Sequence, residues 1–139
     1  MDTSQKIIIA LDVPDFDEMQ RIVERIGPAI STYEVGHQLF TAEGPQVIHY
    51  LKERGKSVFL DLKLREIPNS AALAVKAAGK HGGDMVTVHA TGGEKMMQAA
   101  VEASAEFPAM NILALTVVTG LSGRDLQQIG YIPFEALAV

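Results

Sequence analysis

An α/β fold with a parallel sheet is predicted for this 139-residue chain by three observations. Short β-type runs alternate with helical patterns, most of those runs are nearly continuous in apolar residues, and polar residues gather at their C-terminal ends. The runs are "KIIIALD" at 6–12, "TYEVG" at 32–36, "SVFLDLK" at 57–63, "DMVTVHA" at 84–90 and "NILALTVV" at 111–118. Their centres recur about every 26 residues, the length of a strand plus a crossover helix.

Each helix has its own signals. "DFDEMQRIVERIG" opens on acids, places Met19, Ile22, Val23 and Ile26 on one face, and stops at Gly27-Pro28, as a helix end requires. "GPQVIHYLKERG" repeats the spacing with Val47, Ile48 and Leu51, opened by Pro45 and closed by Gly55. "NSAALAVKAAGKHGG" and "GGEKMMQAAVEASAEF" supply two alanine-rich helices, suited to close packing on a sheet. Met96 and Met97 are expected to pack against it, and Ser122 in "LSGRDLQQIG" is placed to cap a short helix. "YIPFEALAV" reads as the start of a further helix.

Apolar runs in strands 1, 3, 4 and 5 predict burial on both faces, as in a parallel sheet covered by helices. No glycine fingerprint follows strand 1, where "LDVPDFD" stands instead, which disfavours a dinucleotide-binding sheet. Asp12, Glu34, Asp61 with Lys63, His89 and Thr119 mark the strand ends, the catalytic rim of a TIM (β/α)8 barrel. A full barrel needs about 250 residues, so the expectation is one domain, 1–139, forming the N-terminal five β/α units of such a barrel. An open arc exposes its inner apolar layer and an edge, and is expected to dimerise, exchange strands or otherwise assemble.

Composition narrows the function. With 47% apolar residues and no cysteine the chain reads as a soluble globular protein without disulfides or thiolate metal sites. Its apolar runs are too short to span a bilayer and its start lacks signal-peptide features, so a cytoplasmic location is expected. A net charge of −5 argues against nucleic acid or an acidic membrane as partner.

The stretch "DLKLREIPNS", residues 61–70, puts Asp61, Lys63 and Glu66 at the end of strand 3. Residues two apart on a strand leave the same face, so Asp61 and Lys63 are expected to point together into the barrel mouth. A lysine among carboxylates stays protonated and is a positioned proton donor. A carboxylate beside it repels an anionic substrate group until that group leaves, while the ammonium neutralises the carbanion left behind. An isolated D-x-K triplet is more often a structural ion pair; its place on the rim, beside acids ending strands 1 and 2, favours chemistry.

"IALDVPDFDEM", "VGHQLFTAEGP", "VFLDLKLREIPN", "DMVTVHATGGEKMM" and "LALTVVTGLS" together resemble the orotidine 5′-monophosphate decarboxylase family in order and spacing. The resemblance implies a homodimer with shared active sites and cofactor-free decarboxylation of orotidylate, a small-molecule nucleotide, to uridylate in pyrimidine biosynthesis. Asp61 would crowd the substrate carboxylate and Lys63 would protonate the pyrimidine carbon. Asp12 and Ser70 would contact the ribose, Ser70 and Glu66 reaching across from the second subunit, and Thr119 would bind the base. The family's phosphate grip follows strands 7 and 8, so the five-strand arc implies weak or absent turnover.

Four positions depart from that pattern: Glu34 and Glu66 stand where lysine and aspartate are usual, Arg65 where histidine is frequent, and His37 where an apolar residue is common. Glu34, Asp61 and Glu66 against Lys63 leave a net charge of −2, which Mg²⁺ would relieve. "EVG" on strand 2 resembles the sibling ketogulonate phosphate decarboxylases and hexulose phosphate synthases, implying the alternative of an Mg²⁺-dependent sugar-phosphate lyase or aldolase with Glu34 and Asp61 as metal ligands. A third alternative is a non-catalytic half-barrel scaffold or engineered oligomer. His89 is a rim histidine outside the catalytic set, Gly92-Gly93 reads as a turn, and His37, His49 and His81 lack the spacing of a metal cluster.

Overall fold

A computed structural model describes residues 6–131. Five strands, β1 (Ile8–Ala10), β2 (Thr32–Gly36), β3 (Ser57–Leu64), β4 (Met85–His89) and β5 (Asn111–Leu115), form one sheet in the order β1-β2-β3-β4-β5. Every neighbouring pair is parallel. The helices are α1 (Phe16–Ile26), α2 (His37–Glu43), α3 (Gln46–Glu53), α4 (Pro68–His81), α5 (Glu94–Ser104) and α6 (Gly123–Gln128). Because strand order follows chain order without reversal, right-handed crossovers put their helices on one side of the sheet. A doubly wound sheet reverses direction and covers both sides. The arrangement is therefore an arc of a barrel.

Side-chain parity confirms this. Tyr33, Val35, Val58, Leu60, Val86 and Val88 alternate along the three central strands onto one face and are fully buried. They meet Met19 and Val23 of α1, Leu39 of α2, Val47, Ile48 and Leu51 of α3, Val75 of α4, and Met96 and Ala100 of α5 in one core. Each such aliphatic side chain contributes roughly 1.5–3 kcal/mol on burial. The opposite face, where the interior of a closed barrel would lie, carries Ile8 at 43% and Leu113 at 39% exposure. The expected burial of β1 and β5 on both faces is thus corrected: both are edge strands, and their patterns alternate between exposed and partly buried.

Local chemistry sets the element ends. Asp15 caps α1 by accepting a 2.9 Å bond from the Glu18 amide, and Gly27 ends it at φ 59°, where only glycine is free of strain. Pro68 opens α4 at a position whose amide would be unpaired anyway. Ser122 caps α6 in a reciprocal capping box with Asp125, as expected. Three boundaries differ from the sequence reading. β1 is shorter than 6–12, β5 ends at Leu115 rather than 118, and α2 forms a separate helix ahead of α3. α2 lies between Gly36 and Gly44, in a stretch to which the sequence reading assigned no element. The helix anticipated in "YIPFEALAV" falls, apart from Tyr131, outside the described residues.

Candidate active site

The parallel register stacks the open face into rows. Ala10, Glu34, Phe59, Met85 and Asn111 lie side by side across the five strands. One step toward the C-terminal rim, Gly36 is paired with Asp61. A Cβ on Gly36 would sit 3.8 Å from Asp12 Oδ1, in ordinary contact, which puts the Asp12 carboxylate beside this strand end. Asp12, Glu34 and Asp61 thereby converge from three strand ends.

Lys63 joins them by an irregular route. Regular alternation is interrupted: Leu60 pairs with Val86 but Leu64 pairs with Val88, so β3 carries two extra residues in a bulge. Within it Lys63 has φ 47°, the left-handed region that costs a non-glycine residue about 1 kcal/mol or more. Two contacts hold it there. The Lys63 amide donates to Thr87 Oγ1 at 2.8 Å, and its ammonium donates to Asp61 Oδ2. Thr87, itself 6% exposed, donates to Asp61 Oδ1 at 2.8 Å. Asp61 and Lys63 are paired as ions, but through a bulge clamped by β4 rather than through strand alternation.

The electrostatics follow from this geometry. Burial pushes the Asp61 carboxyl up, but the hydrogen bonds from Lys63 and Thr87 and the Lys63 charge outweigh it and hold the group below the ordinary aspartate value. Glu34 goes the other way: burial first, then the Asp61 carboxylate and Asp12, raise it against a smaller opposing pull from Lys63. Glu34 therefore holds its proton more tightly than a free glutamate, and Asp61 releases its own more readily than a free aspartate.

Glu66 does not enter this cluster. It lies exposed in the loop between β3 and α4, lining a shallow cavity of about 510 Å³ with Arg65, Ile67, Pro68, Thr91 and Gly92. Ser70 is half-buried in the first turn of α4. Asp12, not Glu66, is the further carboxylate close enough to act on Glu34. Thr119, expected at the end of strand 5, is exposed in the turn four residues past that strand, because β5 ends early at the sheet edge. Thr116 instead lines a cavity of about 330 Å³ with Arg65, His89, Val118 and Leu121. His89 Nδ1 is 3.5 Å from the Thr91 hydroxyl.

Thr87 is the member of this cluster that sequence reasoning missed. Its signal was a hydroxyl in an apolar strand, two residues before a rim histidine and hence on the same face. Mg²⁺ needs only one or two carboxylates with water completing its octahedron, and Glu34 and Asp61 would offer these in competition with Lys63 and Thr87. Both Asp61 oxygens are already engaged, and the described residues include no group of three or more His, Cys, Asp or Glu placed to hold an ion. Nor is any described helix long and apolar enough to cross a membrane.

Residues 5–135 match the model of the Orotidine 5′-phosphate decarboxylase / HUMPS family. Orotidine 5′-phosphate decarboxylase of Moorella thermoacetica is 44% identical over 133 residues, covering 91% of this chain and 53% of that protein. The protein of the same name from Alcanivorax borkumensis is 41% identical over 140 residues, covering 100% and 61%. A crystal structure of orotidine 5′-phosphate decarboxylase from Lactobacillus acidophilus superposes with a TM-score of 0.84 at 32% identity, covering 94% of this chain and 62% of that one. The chain thus spans between half and two thirds of the length of these relatives.

Proposed function

The chain belongs to the orotidine 5′-phosphate decarboxylase / HUMPS family, and on that premise we propose that its Asp61–Lys63 pair is the proton-delivering centre for decarboxylation of orotidylate to uridylate. The observation that supports this most is the ammonium of Lys63, on a strained backbone, held against a carboxylate at the open rim of a parallel sheet. In the proposed reaction the substrate's carbon–carboxylate bond breaks, CO₂ leaves, and its electron pair stays on the ring carbon. Lys63 gives that carbon a proton and is reprotonated from solvent. Asp61, kept ionised by Lys63 and Thr87, repels the substrate carboxylate in the ground state and is relieved when it departs. Asp12 and Ser70 are assigned to the ribose and Thr119 to the base.

Glu66 and Ser70, which lie outside the Asp61 cluster, are assigned to a neighbouring subunit's site, which makes the active form a homodimer or larger homo-oligomer, with strand exchange at the open edge as one route. A cytoplasmic location accompanies this biosynthetic role. The portion of the relatives that these 139 residues do not cover is assigned the phosphate grip. Remote binding energy of that kind lowers the barrier at the reacting carbon, so these residues alone turn over slowly.

The test is orotidylate consumption, followed by ultraviolet absorbance over long incubations. Slow turnover above the enzyme-free rate is expected, and Lys63→Ala returns it to that rate with the circular dichroism spectrum unchanged. Turnover indifferent to Lys63→Ala would overturn the assignment, and family-like efficiency would overturn the expectation of slowness.

A further inference from the structure

The helical layer holds a second cluster of ligating groups, away from the rim. His49, on α3, and His81, in the last turn of α4, bring Nε2 and Nδ1 to 3.2 Å from each other, with ring centroids 5.2 Å apart and planes inclined by 47°. We propose that this pair is a two-histidine clip for a borderline divalent transition metal such as Zn²⁺, Ni²⁺ or Cu²⁺, joining α3 to α4 with water completing the coordination shell.

Three features carry the assignment. Two imidazole nitrogens bound tetrahedrally to one Zn²⁺ at about 2.0–2.1 Å lie about 3.3 Å apart, close to the spacing already present. His49 is exposed and His81 half-buried, so one ligand is held while the other can turn about its side-chain torsions until both lone pairs meet on an ion. The helix dipole also favours a cation, since His81, beside Lys80, sits at the negative end of α4. Lys52, one turn along α3 from His49, is already paired with Asp84 at 2.8 Å. In the metal-free pair one proton is shared between the two nitrogens; on binding, the ion takes its place and the proton moves to the other nitrogen of the same ring. No third ligating side chain joins among the described residues, so affinity is modest. Hard cations that prefer oxygen, Mg²⁺ and Ca²⁺, are excluded.

Titration of the 139-residue chain with Zn²⁺ alone, by calorimetry in a chelator-free buffer, tests this. One ion per chain is expected, with imidazole NMR signals of two of the four histidines perturbed and Tm raised by a few degrees. His49→Ala and His81→Ala should each weaken binding by about tenfold or more and abolish the Tm rise, whereas Mg²⁺ should have no effect. Because His49 is exposed, His49→Gln serves as a second variant that keeps the fold. The proposal is overturned if Zn²⁺ does not bind saturably, if the perturbed signals belong to His37 or His89, or if the His49 variants bind as tightly as the unaltered chain.

Discussion

Replacing Thr87 by valine tests the clamp on which the site geometry rests. The substitution keeps the β-branched shape and removes one oxygen that makes two bonds, donating to the Asp61 carboxylate and accepting from the Lys63 amide, both at 2.8 Å. A hydrogen bond to a charged group is worth about 1.5–3 kcal/mol, and an amide left unpaired costs about 1–3 kcal/mol. The low end applies here, because the Asp61 and Lys63 side chains retain 15% and 32% exposure and water on the open face can replace part of what is lost. Thr87→Val should therefore destabilise by about 2–3 kcal/mol, lowering the urea midpoint by roughly 1 M. Far-UV circular dichroism is the appropriate probe, since the chain has no tryptophan. Thr87→Ser keeps both bonds and should lose only about 1 kcal/mol for the missing methyl. The pH dependence has a definite sign. Asp61 is depressed in the folded state, so its stabilising contribution is present above the ordinary aspartate pKa and lost as pH falls through the folded value. The gap between Thr87→Val and the unaltered chain should narrow in that acid range. A Thr87→Val chain within about 0.5 kcal/mol of the unaltered one at pH 7 would refute the clamp.

Glu34→Gln should raise the urea midpoint at pH 7. Burial and the neighbouring carboxylates make the folded state hold the Glu34 proton more tightly than the unfolded state does, so ionised Glu34 costs stability, and the gain should fade as pH falls through its raised folded value and vanish below the ordinary glutamate range; a loss of stability at pH 7 would contradict this. At Lys63 the backbone is left-handed, so Lys63→Gly should be more stable than Lys63→Ala by about 1 kcal/mol while both lose turnover, and equal urea midpoints would argue against the bulge. Gly79→Ala would place a Cβ 2.4 Å from the Phe107 ring. The roughly 1 kcal/mol gained in helix propensity is outweighed by overpacking of about 1–3 kcal/mol, and a midpoint higher than that of the unaltered chain would show that Phe107 yields freely.

Much of this site was legible in the sequence because it depends on order and parity. Strand–helix spacing gave the five-unit arc, and the acids ending β1, β2 and β3 marked the rim, since a parallel sheet without reversal brings consecutive strand ends together. Other features depend on contacts between distant segments. Glu66, five residues from Asp61, counts as a neighbour in sequence, yet the turn into Pro68 carries it out to solvent. Thr87, 26 residues away, is a true neighbour because β4 lies against β3.

The sequence by itself determined the fold class, the acidic start of α1, the helix cap at Ser122, and the presence of an acid–lysine pair at a strand end, all consequences of local periodicity and side-chain chemistry. The tertiary structure alone decided how that pair meets. A two-residue bulge, a lysine in left-handed backbone and a threonine from the next strand arise where register across β3 and β4 overrides regular alternation. The hydrogen bonds that stabilise this arrangement join residues whose proximity no local pattern encodes. The same holds for His49 and His81, which share no motif and become neighbours because α3 and α4 bring them together.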